Sequence, residues 1–286
     1  MVEGDYQYDL TQEQIGDREI RFVRGLGPAA VDNRDFPRGF ETIRDEVFPD
    51  LRLAGSIQYG EGARFDDRKY RLDGIDIHGG TVDVALGLTH FPAIEADLLR
   101  GDEGNMLRQV LGKEDYGDKW VYFSRTLGVA LVAVTLEGSA FIAPRQGKFF
   151  PGWLNAAAGN CDYCGDPSLE TFRDQAITEL NEEYGARLNV IGDVRFIGIS
   201  SHPISGDAET VWVARIDVSD SYFLSGKWLK ERIDEEHSSD LVQVGDLVTR
   251  NLLLNEGVYK GSQVPGIIYS TRMGLEALTE RDFMPL

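Results

Sequence analysis

One stretch of this chain has a period that admits a single secondary structure. Between Asp166 and Gly185, the apolar residues Phe172, Ala176, Ile177, Leu180 and Tyr184 recur at helical spacing. Asp166 offers an N-cap with Pro167 at the first helical position, and Gly185 follows as a stop. Strand-like runs flank this helix. Before it, 128–136 and 140–145 are apolar and joined by Glu137-Gly138-Ser139, which predicts a hairpin; after it, 190–200 and 210–218 read as strands. Helices are predicted over 226–233, 246–254 and 264–278. Upstream, 69–77 and 81–88 alternate about His78-Gly79-Gly80 as a second hairpin, with short helices expected over 92–100 and 105–111. The first 65 residues are polar and rich in turns, with 40–51 the best helical segment among them. Strands, one long helix, more strands and then helices, with no internal repeat, predict an α/β (α+β) sandwich with a mixed sheet. A boundary is expected at Tyr116-Gly117-Asp118-Lys119. It divides the chain into a smaller N-terminal α+β region, 1–118, and a second domain, 119–286.

Charge narrows the function classes. The 286 residues include 48 Asp and Glu against 29 Lys and Arg, a formal net charge of −19. Coating a nucleic acid needs a basic stripe, and holding an anionic membrane needs basic clusters, so neither partner is expected. Hydrophobic residues at 42% and charged residues at 27% are globular values, which excludes general disorder. No run approaches the roughly 18 apolar residues of a membrane span, and no basic-then-apolar leader is present, so a cytoplasmic protein is expected. Cys161 and Cys164 are the only cysteines. They are too few for a disulfide scaffold, a zinc site would need distant histidines to converge on them, and Gly165-Asp166-Pro167 after them is unlike a thioredoxin-type helix start. A reduced pair in a loop is the expectation.

The acidic residues of the long helix are ordered. At about 100° per residue, Glu179, Glu182 and Glu183 fall within a sector of about 100° beside the apolar face. Like charges at that spacing destabilise a helix unless a cation sits among them. Hard oxygen donors in that number suit Mg²⁺ or Mn²⁺, and such an ion would invert the local sign and admit a phosphate. A solvated acidic face accounts for the spacing equally well.

The same segment resembles the Nudix box. That family's pattern is Gly, five residues, Glu, seven residues, Arg-Glu, an apolar residue, any residue, Glu-Glu, any residue, Gly and an apolar residue. Glu170, seven residues, Thr178, Glu179, Leu180, Glu182-Glu183 and Gly185 follow it in register. Two departures stand out. Thr178 replaces the Arg that in the family holds the glutamates by ion pairing. Gly159, in Ala157-Ala158-Gly159 after Trp153, takes the place of the box glycine, with ten residues instead of five before Glu170. The extra length, 160–165, holds both cysteines. The layout of the whole chain resembles the animal Nudix proteins that hydrolyse UDP-glucose and UDP-galactose. The segments that carry this are Lys69-Tyr70-Arg71-Leu72, Leu86-Gly87-Leu88-Thr89, Tyr116-Gly117-Asp118, Leu127-Gly128-Val129 and Pro151-Gly152.

The resemblance implies an α/β/α sandwich and a pyrophosphohydrolase that uses Mg²⁺ or Mn²⁺. It acts on a nucleoside diphosphate linked to another moiety, with a nucleotide-sugar such as UDP-glucose first. By that analogy Glu179, Glu182, Glu183 and Glu170 are the metal set, and Glu179, Glu183 and Glu236 carry catalysis. The backbone at Ala158 or Gly159 contributes a donor, and Arg145 meets a phosphate. Each residue has an ordinary alternative: Glu235-Glu236-His237 as an acidic loop start, Arg145 as a strand-end residue in solvent, His202 as a turn histidine. Tyr122, Phe123, Trp153 and Trp212 offer faces for a base but are more simply core. ADP-ribose, a dinucleotide or a capped RNA end are the competing substrates. The competing class is a nucleotide-binding regulator without turnover, and a homodimer fits either.

Overall fold

A computed structural model of the protein describes residues 8–24, 68–146, 150–185, 189–233 and 237–285. The predicted helix over 40–51 lies outside the described residues, as do Glu235, Glu236 and Ala186. A three-stranded sheet forms first: β1 (Glu19–Arg24) runs parallel to β3 (Thr81–His90), which pairs antiparallel with β2 (Arg68–His78). β2 and β3 are the predicted hairpin, turning at Gly79-Gly80. A short helix, α1 (Gln12–Ile15), precedes it with a Thr11/Gln14 capping box. α2 (Phe91–Tyr116) joins the two expected short helices across a kink at Gly101, whose φ of 78° ends one and starts the next.

The main sheet is built on β4 (Leu127–Val134). It lies parallel to β9 (Ala208–Ile216), which pairs antiparallel with β8 (Val190–Ser201). β5 (Ala140–Pro144) meets β4 at Val134–Ala140 and then diverges, pairing with β10 (Val242–Val244) and β6 (Leu154–Asn155). Beside the other half of β4, along Gly128 to Leu131, β7 (Ala157–Asn160) takes its place. The sheet is therefore split between β5 and β7, and Ala156 crosses the split. The small residues at 156–159 suit this crossing, because backbone must pass close to backbone there.

Two helices cover the sheet, and strand alternation decides which residues each meets. Val129, Leu131, Trp212 and Ala214 join Phe172, Ala176, Leu180 and Tyr184 of α3 (Leu169–Tyr184) in one apolar cluster. Val132, Val134, Val211 and Val213 join Met273 and Leu275 of α7 (Tyr269–Glu276) in another on the opposite face. That is the expected α/β/α sandwich. The first cluster also holds Tyr70, Leu72, Val82 and Val84 of the small sheet, with the Phe22 ring tilted against Phe172 at 4.7 Å. The small sheet thus shares the α3 core.

Several boundaries differ from the sequence reading. α3 is capped by Ser168 in a box with Thr171, because Pro167 sits one position too early once Ser168 can bond the Thr171 amide. The segment 226–233 shortens to α5 (Trp228–Glu231), preceded by an unforeseen turn, α4 (Asp220–Leu224). The segment 246–254 becomes α6 (Leu247–Asn251), capped by Asp246 and widening into a π turn at Leu252–Glu256. The predicted helix 264–278 begins only at Tyr269, because 264–268 is pinned to β6 through Leu154 and Ile267. A small hairpin, β11 (Val258–Tyr259) and β12 (Ser262–Gln263), precedes that segment. Among the described residues, no helix is long and apolar enough to cross a membrane.

Candidate active site

The carboxylates of α3 are held by the split sheet. Glu183 falls on the buried stripe of the helix, seven residues on from Ala176, and is 3% exposed. A fully buried glutamate is rare unless something pairs with it. Here its Oε2 accepts a hydrogen bond from the Ala158 amide at 3.1 Å and lies 3.5 Å from His237 Nδ1. His237 is itself 1% exposed, and its ring lies tilted against Tyr184 at 5.2 Å. Burial first, then the charges of Arg145 and Arg232, push its pKa down to about 3.

Glu179 lies one helical turn away, under β7. A Cβ on Gly159 would overlap its carboxylate, so the glycine is what admits it. Gln175 Nε2 donates to Glu179 Oε1 at 2.9 Å. Thr178, where the Nudix-box pattern has Arg, bonds back to the Asp174 carbonyl at 3.0 Å and is exposed. Gln175 and the Ala158 main-chain N–H thus each hold one of these glutamates. Glu182 is half-buried next to them, with its carbonyl accepting from the Ile233 amide at 2.7 Å.

Glu170 is not brought to this group. Nine residues before Glu179, it sits about 180° round the helix and about 13 Å along it, exposed and paired with Arg173 at 3.0 Å. Arg145, at the end of β5, is half-buried instead of solvated. Its main chain bridges to His237, and its charge reaches both His237 and Glu209. Gly159 contributes space for Glu179, while its carbonyl oxygen lies against the α-carbon of Gly128, within the sheet. His202 caps a turn, accepting from the Ser205 amide at 3.1 Å. Tyr122, Phe123 and Trp212 are buried, whereas Trp153 is half-buried. Cys161 is buried and Cys164 exposed, both as free thiols. Burial, then the field of Glu179, holds the Cys161 thiol well above its usual range.

Two residues escaped the sequence. His237 was seen only as part of an acidic loop. Glu209, at the start of β9, lies one position before the strand read from the sequence at 210–218. Burial pushes the Glu209 carboxyl up, against the Ser270 hydroxyl and Arg145, which lower it. An acidic residue two positions before Val211 was the available signal.

The donor set was tested against a divalent cation. Among the described residues, no three His, Cys, Asp or Glu side chains converge as a ready cage. The chemistry nevertheless fits Mg²⁺ or Mn²⁺. Glu179, Glu182 and Glu183 supply hard oxygens, the Gly159 cradle makes room for one of them, and these ions keep waters and substrate phosphate oxygens in their shell.

No family model matches the chain, and no curated protein does. Among solved structures it is similar to Tm1382, provisionally described as a Nudix hydrolase, at 13% identity over 52% of this chain and 68% of that one, TM-score 0.34. A Listeria monocytogenes protein described in the same provisional terms is similar at 16% identity over 54% of this chain and 92% of its own, TM-score 0.31. A Nudix-family hydrolase from Clostridium perfringens is similar at 11% identity over 54% of this chain and 95% of its own, TM-score 0.33.

Proposed function

We propose that this protein is a Nudix-type pyrophosphohydrolase that cleaves a nucleoside diphosphate linked to another moiety, a nucleotide-sugar first. The observation that carries this reading is Glu183, a buried carboxylate held by the Ala158 amide on the same helix edge as Glu179 and Glu182. Burying a charge of this kind is costly, and a cation at the site would offset that cost.

Glu179, Glu182 and Glu183 would hold Mg²⁺ or Mn²⁺, which neutralises the pyrophosphate and lowers the pKa of a water. The chain's own residues do the rest. The Ala158 amide and Gln175 fix the carboxylates before substrate arrives, so less reorganisation accompanies binding. Arg145, half-buried at the end of β5, would meet a phosphate oxygen. Neutral His237, next to Glu183, adds no positive charge of its own to the inner wall of the site. Glu236 is retained as a candidate for receiving the proton of the attacking water.

The deciding experiment offers a panel of nucleoside diphosphate derivatives with Mg²⁺ and measures release of nucleoside monophosphate. UDP-glucose, UDP-galactose, ADP-ribose and a dinucleotide belong in it. Turnover of at least one is expected, with Glu183→Gln lowering it by about 100-fold or more while circular dichroism is unchanged. Tight binding to a panel member with no turnover of any would instead make the protein a nucleotide-binding regulator.

A further inference from the structure

Four half-buried rings stand outside both apolar clusters and follow one another in a row. Trp153 lies 5.5 Å from Phe150, Phe150 lies 5.1 Å from His202, and His202 meets Tyr269 edge-on at 5.4 Å. Each ring is held in place. Gly266 gives way to the Trp153 indole, since a Cβ there would come within 2.7 Å of it. The turn that carries His202 is tied to α2 by Gln109, which donates to the carbonyls of Pro203 and Ile204 at 2.9 Å. Phe150 sits at φ 52°, a region that side-chain-bearing residues rarely adopt and that clusters at binding sites. Burial pushes His202 down to about 4, so its ring is neutral at physiological pH.

The row has a polar inner edge. Ser270 follows Tyr269 and is 1% exposed; its hydroxyl is near enough to Glu209 to lower its pKa, yet completes no hydrogen bond among the described residues. Glu209 shares the α7 face of the sheet with Val211 and Val213, and its direct cross-strand neighbour is Ser200. The Ser200 hydroxyl is 2% exposed and has no hydrogen-bond partner among the described residues. Buried hydroxyls are normally satisfied, so a polar ligand or water belongs there. Arg145 connects the row to the carboxylate helix: its amide donates to the Trp153 carbonyl at 2.9 Å, and its main chain bridges to His237, the neighbour of Glu183. A flat, apolar-faced ring with N–H groups on its rim matches rings backed by a carboxylate and hydroxyls.

We propose that this aromatic row with Glu209 and Ser200 at its edge binds the nucleobase of the substrate, stacked on Phe150 and Trp153 with its N–H groups turned to Glu209. The inference rests on the phosphate-binding role given above to the α3 carboxylates and Arg145. It adds what the chain reads beyond the phosphates.

The test titrates the whole protein calorimetrically, with and without Mg²⁺, using the 5′-monophosphates of uridine, cytidine, adenosine and guanosine, and ribose 5-phosphate as the probe without a base. At least one nucleotide should bind about tenfold or more tightly than ribose 5-phosphate, the scale of one base–aromatic stack. Phe150→Ala and Trp153→Ala should each shrink that gap, with melting curves checking the fold. Glu209→Gln should change the ranking among the four bases, because an amide presents a donor where the carboxylate only accepts. Equal binding of ribose 5-phosphate and every nucleotide would overturn the proposal, as would a gap that survives both ring substitutions. Base-dependent binding without turnover removes the hydrolase reading and leaves the base site standing; turnover with base-independent binding does the reverse.

Discussion

A single missing side chain decides where Glu179 can be. Gly159→Ala would place a methyl group where the carboxylate lies. It should lower Mg²⁺-dependent turnover by about tenfold or more with little change in melting temperature, measured on the same preparation. A second residue-scale test concerns protons. Burial first, and then the charge of Asp97, raise the Asp207 carboxyl well above its ordinary range. Between the unfolded value and that raised folded value, the folded chain holds a proton that the unfolded chain has released. Stability therefore falls as pH rises through this window. Asp207→Asn, which can still accept from the Ser205 hydroxyl now at 2.9 Å, should melt higher than the parent at pH 8, by about 1 kcal/mol in stability. The difference should vanish near pH 4. A Tm difference independent of pH would show that the buried charge is not what the substitution removes. At this scale the sequence was informative where period fixed direction: Glu179, Glu182 and Glu183 share an edge by helical geometry. The same arithmetic puts Glu170 on the far side, which the motif register had obscured.

Elements show what capping and pairing add. Ser168, not Asp166, starts α3, and its hydroxyl accepts from the Thr171 amide at 3.1 Å. Ser168→Ala should cost about 1 kcal/mol in urea denaturation. Because the carboxylates sit at the other end of the helix, its Mg²⁺ requirement should be unchanged. A shift in metal dependence would mean that the helix moves as a rigid lever. Helix α3 and strands β4, β5, β8 and β9 were legible because apolar period is a local property of the chain. The short pieces were not. β6 and β7 are two and four residues long, and they exist because β5 leaves β4 and opens a gap that they fill. Likewise α7 starts late because Ile267 and Ile268 are engaged with Leu154, a contact across more than a hundred residues.

Across the whole molecule, the small sheet and the main sheet share one core through α3. The division into 1–118 and 119–286 separates stretches of sequence. Tyr70, Leu72, Val82 and Val84 nevertheless pack in the same cluster as Phe172. The segment 119–286 expressed alone should therefore expose apolar surface, bind a hydrophobic dye and unfold at lower urea than the full chain. Equal midpoints would establish two independent units. The net charge of −19 also acts at this scale, disfavouring the approach of an anionic nucleotide except where cations gather. By itself, the sequence determined the secondary-structure types of the longer elements, the edge shared by three glutamates and the acidity, since each depends only on neighbours along the chain. The tertiary structure alone decided that Glu183 is buried against Ala158 and His237, that Gly159 makes room for Glu179, and that Glu209 meets Ser270 and Ser200. Those pairs join residues from nine to sixty-one positions apart, and it is strand register and the split between β5 and β7 that bring them within reach.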